Sequence, residues 1–331
     1  MVIITSGHDD DPTNWVIDWI SFYKHNFLRL NREDFFDDSR PNFTVELSSS
    51  SEEFRLRDFD LKNAQSIWFR RSVYPFLPDV LPLESHDNPS FEDIKKNFYY
   101  EYLNSTQLFY SQLLKVGKKL GNFRKVRINK LEVLKMAKSC SIEIPASIIT
   151  GQKTDVQNFM LKKGNLITKA ISEIFDVKTK SDNQTNLYIN YTQEITELVL
   201  GEMPESFSYS LFQEKLDKEI EIRTFFLDGK CYSMAIFSQL DKQTSVDFRK
   251  YSNNRRVPYK LPCELESNIL KLMANLELNT GSVDIVKTKN GRYVFLEVNP
   301  TGQYGMVSDP CNYYLDKKIA EYLIDYDENQ K

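Results

Sequence analysis

Three oxygen-bearing side chains stand at spacings that could hold a cation. Asp284 lies in one apolar stretch, and Glu297 and Asn299 sit two apart at the end of the next. The pattern reads as a hairpin, with strands Ser282–Lys287 and Arg292–Val298 about a Lys289-Asn290-Gly291 turn, because Asn-Gly supplies the positive φ angles a tight turn needs. Alternate residues of a strand share a face, so Glu297 and Asn299 point the same way and Asp284 converges on them. Oxygen-only donors suit a hard cation such as Mg²⁺, which keeps several waters and takes phosphate oxygens into its shell. The trio therefore outlines a nucleotide-phosphate site. Asp284 alone would be no more than a polar residue on an exposed hairpin face.

Cationic and polar side chains elsewhere could complete such a site. Lys130 opens a helix after a basic run. Lys169 lies inside the apolar strand Leu166–Ile171, which is costly unless an anion such as phosphate meets it. The competing position for Lys169 is the solvent face of an edge strand. The extended segment Gln213-Glu214-Lys215-Leu216 could offer backbone groups to an adenine edge, and it leads to Glu221-Ile222-Arg223. The Arg223 fork suits phosphate or carboxylate, although Glu221 and Arg223 could equally form a same-face ion pair. Asp247 and Arg249 face one way on an extended piece. One could move a proton while the other holds an acidic group, or they could be an ordinary surface pair. His8 beside Asp9-Asp10-Asp11 reads as a solvated loop at a helix start, not a metal loop. No Ser-His-Asp or Cys-His pattern, P-loop or G-x-G-x-x-G occurs.

The elements that must carry these residues fall into three segments, 1–120, 121–203 and 204–331. The first is a small α/β unit. It has a strand at Val2–Thr5, a helix starting at Asp11-Pro12-Thr13, strands near Phe27–Leu30 and Ser66–Arg70, and a long aromatic helix over Ser90–Lys119. The second holds a helix over Lys130–Cys140, strands, and a polar stretch at Ser181–Asn186. The third is a largely antiparallel sheet including Leu211–Leu216, Ile220–Leu227 and Lys230–Gln239, with helices at Cys263–Asn275 and Pro310–Tyr326.

A chain of 331 residues with 41% hydrophobic and 27% charged residues is ordinary for a globular protein of two or three domains. A net charge of −4 leaves no overall nucleic-acid footprint, and no apolar run is long enough to span a membrane. Four scattered cysteines and an N-terminus unlike a signal peptide point to a reducing, cytoplasmic setting. Residues 111–135 hold eight Lys or Arg against one acid, a local run that could meet an acidic peptide.

Taken together, these residues resemble the ATP-grasp ligases, and within them the graspetide (microviridin-type) synthetases of the grasp-with-spasm kind, which cross-link ribosomally made peptides (RiPPs). The resemblance rests on Ile67-Trp68-Phe69-Arg70-Arg71, Asn129-Lys130, Lys169, Gln213-Glu214, Glu221-Ile222-Arg223, Asp247-Phe248-Arg249 and Glu297-Val298-Asn299-Pro300-Thr301-Gly302-Gln303. It implies an α/β (α+β) fold: a small N-terminal α/β domain, then central and C-terminal ATP-grasp domains. Lys130 and Lys169 would hold ATP phosphates, and Gln213–Leu216 with Glu221 would hold the rest of the nucleotide. Asp284, Glu297 and Asn299 would bind Mg²⁺. Arg223 and Arg249 would handle the substrate carboxylate, and Asp247 is the candidate base. The implied partner is a precursor peptide with leader and core, and the implied assembly a homodimer. The implied reaction joins Asp or Glu side chains to Ser/Thr hydroxyls or Lys amines. An amino-acid ligase acting on a small molecule or a protein tail is the alternative. One departure is the lack of glycine over Ile171–Asn186, where many ATP-grasp proteins close a glycine-rich loop; Ser181–Asn186 stands in its place. Leader recognition is expected beside the long aromatic helix, near Lys118 and Lys119.

Overall fold

The computed structural model describes residues 1–31, 43–56, 59–71, 89–172, 176–181, 184–189, 192–238 and 254–325. The N-terminal sheet is all parallel, in the order β2-β1-β6-β7, from β1 (Val2–Ser6), β2 (Phe27–Asn31), β6 (Ser66–Phe69) and β7 (Lys118–Leu120). The central strands β1 and β6 are buried at every described position because both faces are covered. Val2, Ile4 and Trp68 pack with α1 (Asp11–Phe22) and the C-terminal helices, while Ile3, Ile67 and Phe69 meet α2 (Pro89–Leu113) on the other side. The small sheet of β3 (Phe43–Leu47), β4 (Glu52–Leu56) and β5 (Phe59–Asp60) extends that second layer.

The long helix is shorter than expected. It stops at Leu113, and Lys118–Leu120 becomes an edge strand beside β6. Gly117 disfavours helix there, and extended backbone gains the β6 ladder. The aromatic stripe is core only at its C-terminal end: Phe109 and Tyr110 are buried, whereas Phe98 is 52% exposed.

After β7 come α3 (Lys130–Ser139), β8 (Ser147–Gln152), α4 (Lys153–Lys163) and β9 (Leu166–Lys169). Then follow β10 (Asp176–Ser181), β11 (Gln184–Ile189), β12 (Gln193–Ile195), α5 (Glu197–Glu202) and β13 (Ser206–Glu214). A four-stranded antiparallel sheet has the order β12-β9-β13-β8. Thus Leu211–Glu214, expected in the C-terminal sheet, pairs with β8 and β9 instead. The hydrophobic pattern of a strand does not say which sheet it joins. The polar stretch near Ser181–Asn186 is part of a two-stranded antiparallel ribbon, β10 with β11, whose tip residues 182–183 lie outside the described residues.

The C-terminal sheet is fully antiparallel, in the order β16-β15-β14-β17-β18, from β14 (Lys218–Leu227), β15 (Lys230–Ile236), β16 (Arg256–Tyr259), β17 (Thr280–Thr288) and β18 (Tyr293–Asn299). One face, with Ile220, Ile222 and Phe226, packs on α3 and on α6 (Cys263–Asn275). On the other face, Phe225 and Leu227 pack with the N-terminal unit and with α7 (Gly305–Cys311) and α8 (Leu315–Ile324). The single closing helix expected over Pro310–Tyr326 is therefore two. Asn312 and Tyr314 take left-handed φ angles of 54° and 53° and turn the chain between them. Among the described residues, no helix is long and apolar enough to cross a membrane.

Candidate active site

The face of β14 that buries Phe225 and Leu227 changes character towards its start. Glu221 and Arg223, at alternate positions, line a cleft of about 1290 Å³, counting its open mouth, between the C-terminal sheet and the four-stranded sheet. Strand register sets the centre of that cleft. Arg223 pairs with Asp284, and Asp284 pairs with Glu297, so the three side chains form one cross-strand row. Asn299 follows one row on, opposite Ser282. The hairpin turn is as expected, with Gly291 at φ 85°.

A β-bulge lies between the Asp284–Glu297 and Ile285–Phe295 pairs, so Leu296 has no partner residue on β17. Bulges re-aim side chains, and here both Leu296 and Glu297 line the cleft while Phe295 stays in the core. Nothing in the alternation of Tyr293–Asn299 announces it.

Each carboxylate of the row carries a cation. Arg223 Nε lies 3.6 Å from Asp284 Oδ1, with side chains 8% and 16% exposed. That is an ion pair without a hydrogen bond, and the buried Arg223 Nε has no hydrogen-bond partner among the described residues. Lys130 Nζ lies 3.1 Å from Glu297 Oε2. Lys130 is placed by the start of α3, where Asn129 Oδ1 accepts from the Leu131 and Glu132 amides and caps the helix. Lys169, at the end of β9, enters the cleft from the opposing sheet. Of two lysines distant in sequence, Lys169 thus lines the same cavity as the acidic residues of the hairpin, and Lys130 pairs with one of them, Glu297.

The Gln213–Leu216 segment forms the strand end and connection between the two sheets, and all four residues line the cleft. Its side chains are largely engaged with protein. Gln213 Nε2 donates to Ser147 Oγ at 2.8 Å, Glu214 Oε1 accepts from the Ala146 amide at 3.2 Å, and Lys215 Nζ meets Glu194 Oε2 at 2.6 Å. Glu221 and Arg223 do not spend their charges on each other: Glu221 accepts from Ser238 Oγ at 2.6 Å and pairs with Lys218 at 3.3 Å. Lys218, Thr192 and Gln303 also line the cleft, and the sequence reading assigns a role to none of them. The signal for Gln303 lay in the Asn-Pro-Thr-Gly-Gln run; Lys218 had none beyond its place at the start of a strand. Asp247 and Arg249 lie outside the described residues.

No protein-family model matches the sequence, and no curated protein matches it either. Solved structures do. Over 98% of its length the chain superposes on a Chryseobacterium gregarium RiPP-associated ATP-grasp ligase in complex with ADP and a leader and core peptide, with 20% identity, 96% of that chain covered and a TM-score of 0.77. It superposes equally fully on the macrocyclase MdnC of Microcystis aeruginosa bound with precursor peptide MdnA, with 24% identity, 99% of that chain and a TM-score of 0.75. The ATP-grasp ligase PsnB, complexed with a phosphomimetic variant of minimal precursor, Mg and ADP, gives 15%, 97% and 0.71 over the same 98%. The chain has the ATP-grasp ligase fold.

One expectation about the rest of the chain changes. The acidic run after β1 is not simply solvated, since Asp10 is 1% exposed and paired with Arg70 and Arg71. Its neighbour His8 lies 3.4 Å from Asn31 Nδ2. Lys118 and Lys119 both make contacts within the chain. Lys118 pairs with Asp325 and lies 4.3 Å from the Tyr322 ring centroid, and Lys119 Nζ donates to Val116 O at 2.8 Å.

Proposed function

We propose that this chain is an ATP- and Mg²⁺-dependent peptide ligase. In this reading it phosphorylates Asp or Glu side chains of a ribosomal precursor peptide and joins them to Ser/Thr hydroxyls or Lys amines, forming macrocycles. The observation that carries the reading is the Arg223–Asp284–Glu297 row, which shares a cleft with Lys169 and whose Glu297 is paired with Lys130. The full-length likeness to ligases solved with ADP and precursor peptides supports it.

The donor chemistry fits the metal. Among the described residues no three His, Cys, Asp or Glu side chains make a closed metal cage. Two carboxylates and an amide are what Mg²⁺ takes when waters and phosphate oxygens fill the rest of its shell. Asp284, Glu297 and Asn299 would hold it, Asn299 Oδ1 giving up at least one of the Thr301 and Gly302 amides it now accepts from, and when bound it would neutralise charge developing on the transferred phosphoryl group. Lys130 and Lys169 would exchange their present contacts for phosphate oxygens. Gln213–Leu216 would flank the base. Arg223 would orient the substrate carboxylate, whose oxygen attacks the γ-phosphorus with ADP leaving. A hydroxyl or amine then attacks the acyl carbon, phosphate departs and a base takes the proton. Asp247 and Arg249 are the proposed base and carboxylate holder for that step.

Co-expression with an adjacent short reading frame rich in Thr/Ser/Lys and Asp/Glu tests the reading by intact mass. Each cross-link should remove one water from the peptide, and Glu297→Ala should remove none. An unmodified peptide that still binds the folded enzyme with ATP would count against it, as would transfer of a free amino acid onto an acceptor.

A further inference from the structure

The Trp68-Phe69-Arg70-Arg71 segment at the end of β6 has no part in the chemistry above, yet it reaches the turn that follows Asn299. Arg70 is 2% exposed. Its Nη1 donates to the carbonyl oxygens of Thr301 at 2.7 Å and Gly302 at 2.5 Å, and its Nε to Asp10 Oδ2 at 3.1 Å. Asp10 is held in turn by Thr13 Oγ1 at 2.6 Å and by Arg71 Nε at 3.0 Å. The Arg70 guanidinium lies 5.9 Å from the Trp68 ring centroid and 5.8 Å from that of Tyr304. Tyr304 is tied to α1 by a hydrogen bond from its hydroxyl to Pro12 O.

Thr301 and Gly302 belong to the turn that begins at Asn299. Asn299 Oδ1 accepts from the Thr301 and Gly302 amides at 3.1 and 3.3 Å. The N–H side of the turn is therefore held by Asn299 itself, and the C=O side by Arg70. Gly302 sits at φ 56°, and a Cβ there would lie 3.0 Å from the Phe225 ring and 3.1 Å from Gly281 backbone, so the turn is also confined from behind. Asn299 and Gln303, at its two ends, both line the cleft. A buried ion pair adds little net stability compared with apolar packing. A planar guanidinium whose Nη1 serves two consecutive carbonyls while its Nε and Nη2 face Asp10 does, however, impose a geometry that apolar packing cannot.

We infer that Arg70, braced by Asp10, is a positioning residue for the metal side of the cleft: it sets the turn that orients Asn299 and Gln303. The inference rests on the reading of Asp284, Glu297 and Asn299 as the metal–nucleotide site. Partners that orient a metal ligand without touching the metal change affinity for it, whereas a mere strut between segments changes only stability.

The test uses the full chain and Mn²⁺ as the probe, with free Mn²⁺ read by electron paramagnetic resonance in the presence of ADP. Thermal midpoint and metal-free ADP affinity are measured alongside. Arg70→Gln should raise the half-saturating Mn²⁺ concentration about tenfold while metal-free ADP affinity stays within about twofold of wild type. Arg70→Lys, which keeps the charge and can reach one carbonyl, should fall between. A folded Arg70→Gln protein with a lower thermal midpoint but wild-type Mn²⁺ dependence would overturn the inference. Should Arg70→Gln fail to fold, Arg70→Lys and Asp10→Asn decide by the same readout, and unchanged Mn²⁺ dependence in both overturns it. If the wild type shows no ADP-dependent Mn²⁺ binding, the nucleotide-site reading fails and this inference falls with it.

Discussion

Lys130 Nζ lies 3.1 Å from Glu297 Oε2, so a residue at the start of a helix neutralises one of the two carboxylates proposed to hold Mg²⁺. Binding of a metal–nucleotide would have to break that pair, with the ammonium passing to a phosphate and the carboxylate to the metal. Lys130→Met should therefore weaken ADP binding about tenfold, which is about 1.4 kcal/mol. It should also strengthen Mn²⁺ binding in the absence of nucleotide, because Glu297 no longer faces that ammonium. Calorimetric titration with ADP and with Mn²⁺ alone checks both signs, and unchanged ADP affinity would remove Lys130 from the phosphate site.

The row Arg223–Asp284–Glu297 should be more sensitive to charge than to shape. Asp284→Asn and Glu297→Gln keep side-chain volume, so both should stay folded by circular dichroism. Each should lower ATP turnover about 10²- to 10³-fold, the scale on which removal of one electrostatic group acts in a dry site. A turnover within a few-fold of wild type in either variant would show that the row is structural.

Asp10 makes a pH-dependent contribution. Burial alone would raise its carboxyl, but Arg70, the Thr13 hydroxyl and Arg71 outweigh burial and hold it below the ordinary carboxylate range. A carboxylate depressed in the native state stabilises the fold above its unfolded value, near about 3.9, and that increment is lost as pH falls through the native value. Asp10→Asn should thus be less stable than wild type near neutrality, and the gap should narrow at about pH 3. Urea midpoints at the two pH values measure this, and an equal gap at both would mean that ionisation of Asp10 plays no part.

The four cysteines should separate cleanly towards an alkylating reagent. Cys231 is pushed up to about 12 by burial and, secondarily, by Glu266, and burial pushes Cys311 up to about 11. Cys140 is buried, and Cys263, at the start of α6, is exposed. Near neutrality the native protein should label quickly at Cys263 and slowly elsewhere, since the thiolate is the nucleophile. Peptide mapping after brief iodoacetamide treatment checks this, and rapid labelling of Cys231 would contradict its packing.

Much of the site was legible in residues 281–304. Apolar alternation, an Asn-Gly turn and acids two apart identify a hairpin and a face, because strand periodicity is a local property. α6 and β1 were readable for the same reason. The resemblance brought Lys130, Lys169 and the Gln213–Leu216 segment to that hairpin, and all meet it in space. Other features depend on where the chain returns to. β13 pairs with β8 and β9, not with the sheet that follows it, and α2 yields its last residues to the edge of a parallel sheet.

By itself the sequence determined the acidic trio, the strand that carries Lys169 and the hairpin turn, since each is written in the spacing of neighbouring residues. Tertiary structure alone decided the bulge that exposes Leu296, the pairing of Glu297 with Lys130, and the clamp of Arg70 on a turn 231 residues away. The physical reason is range. Side-chain alternation acts over a few residues, whereas strand register and buried hydrogen bonds are settled only when distant segments compete to pack.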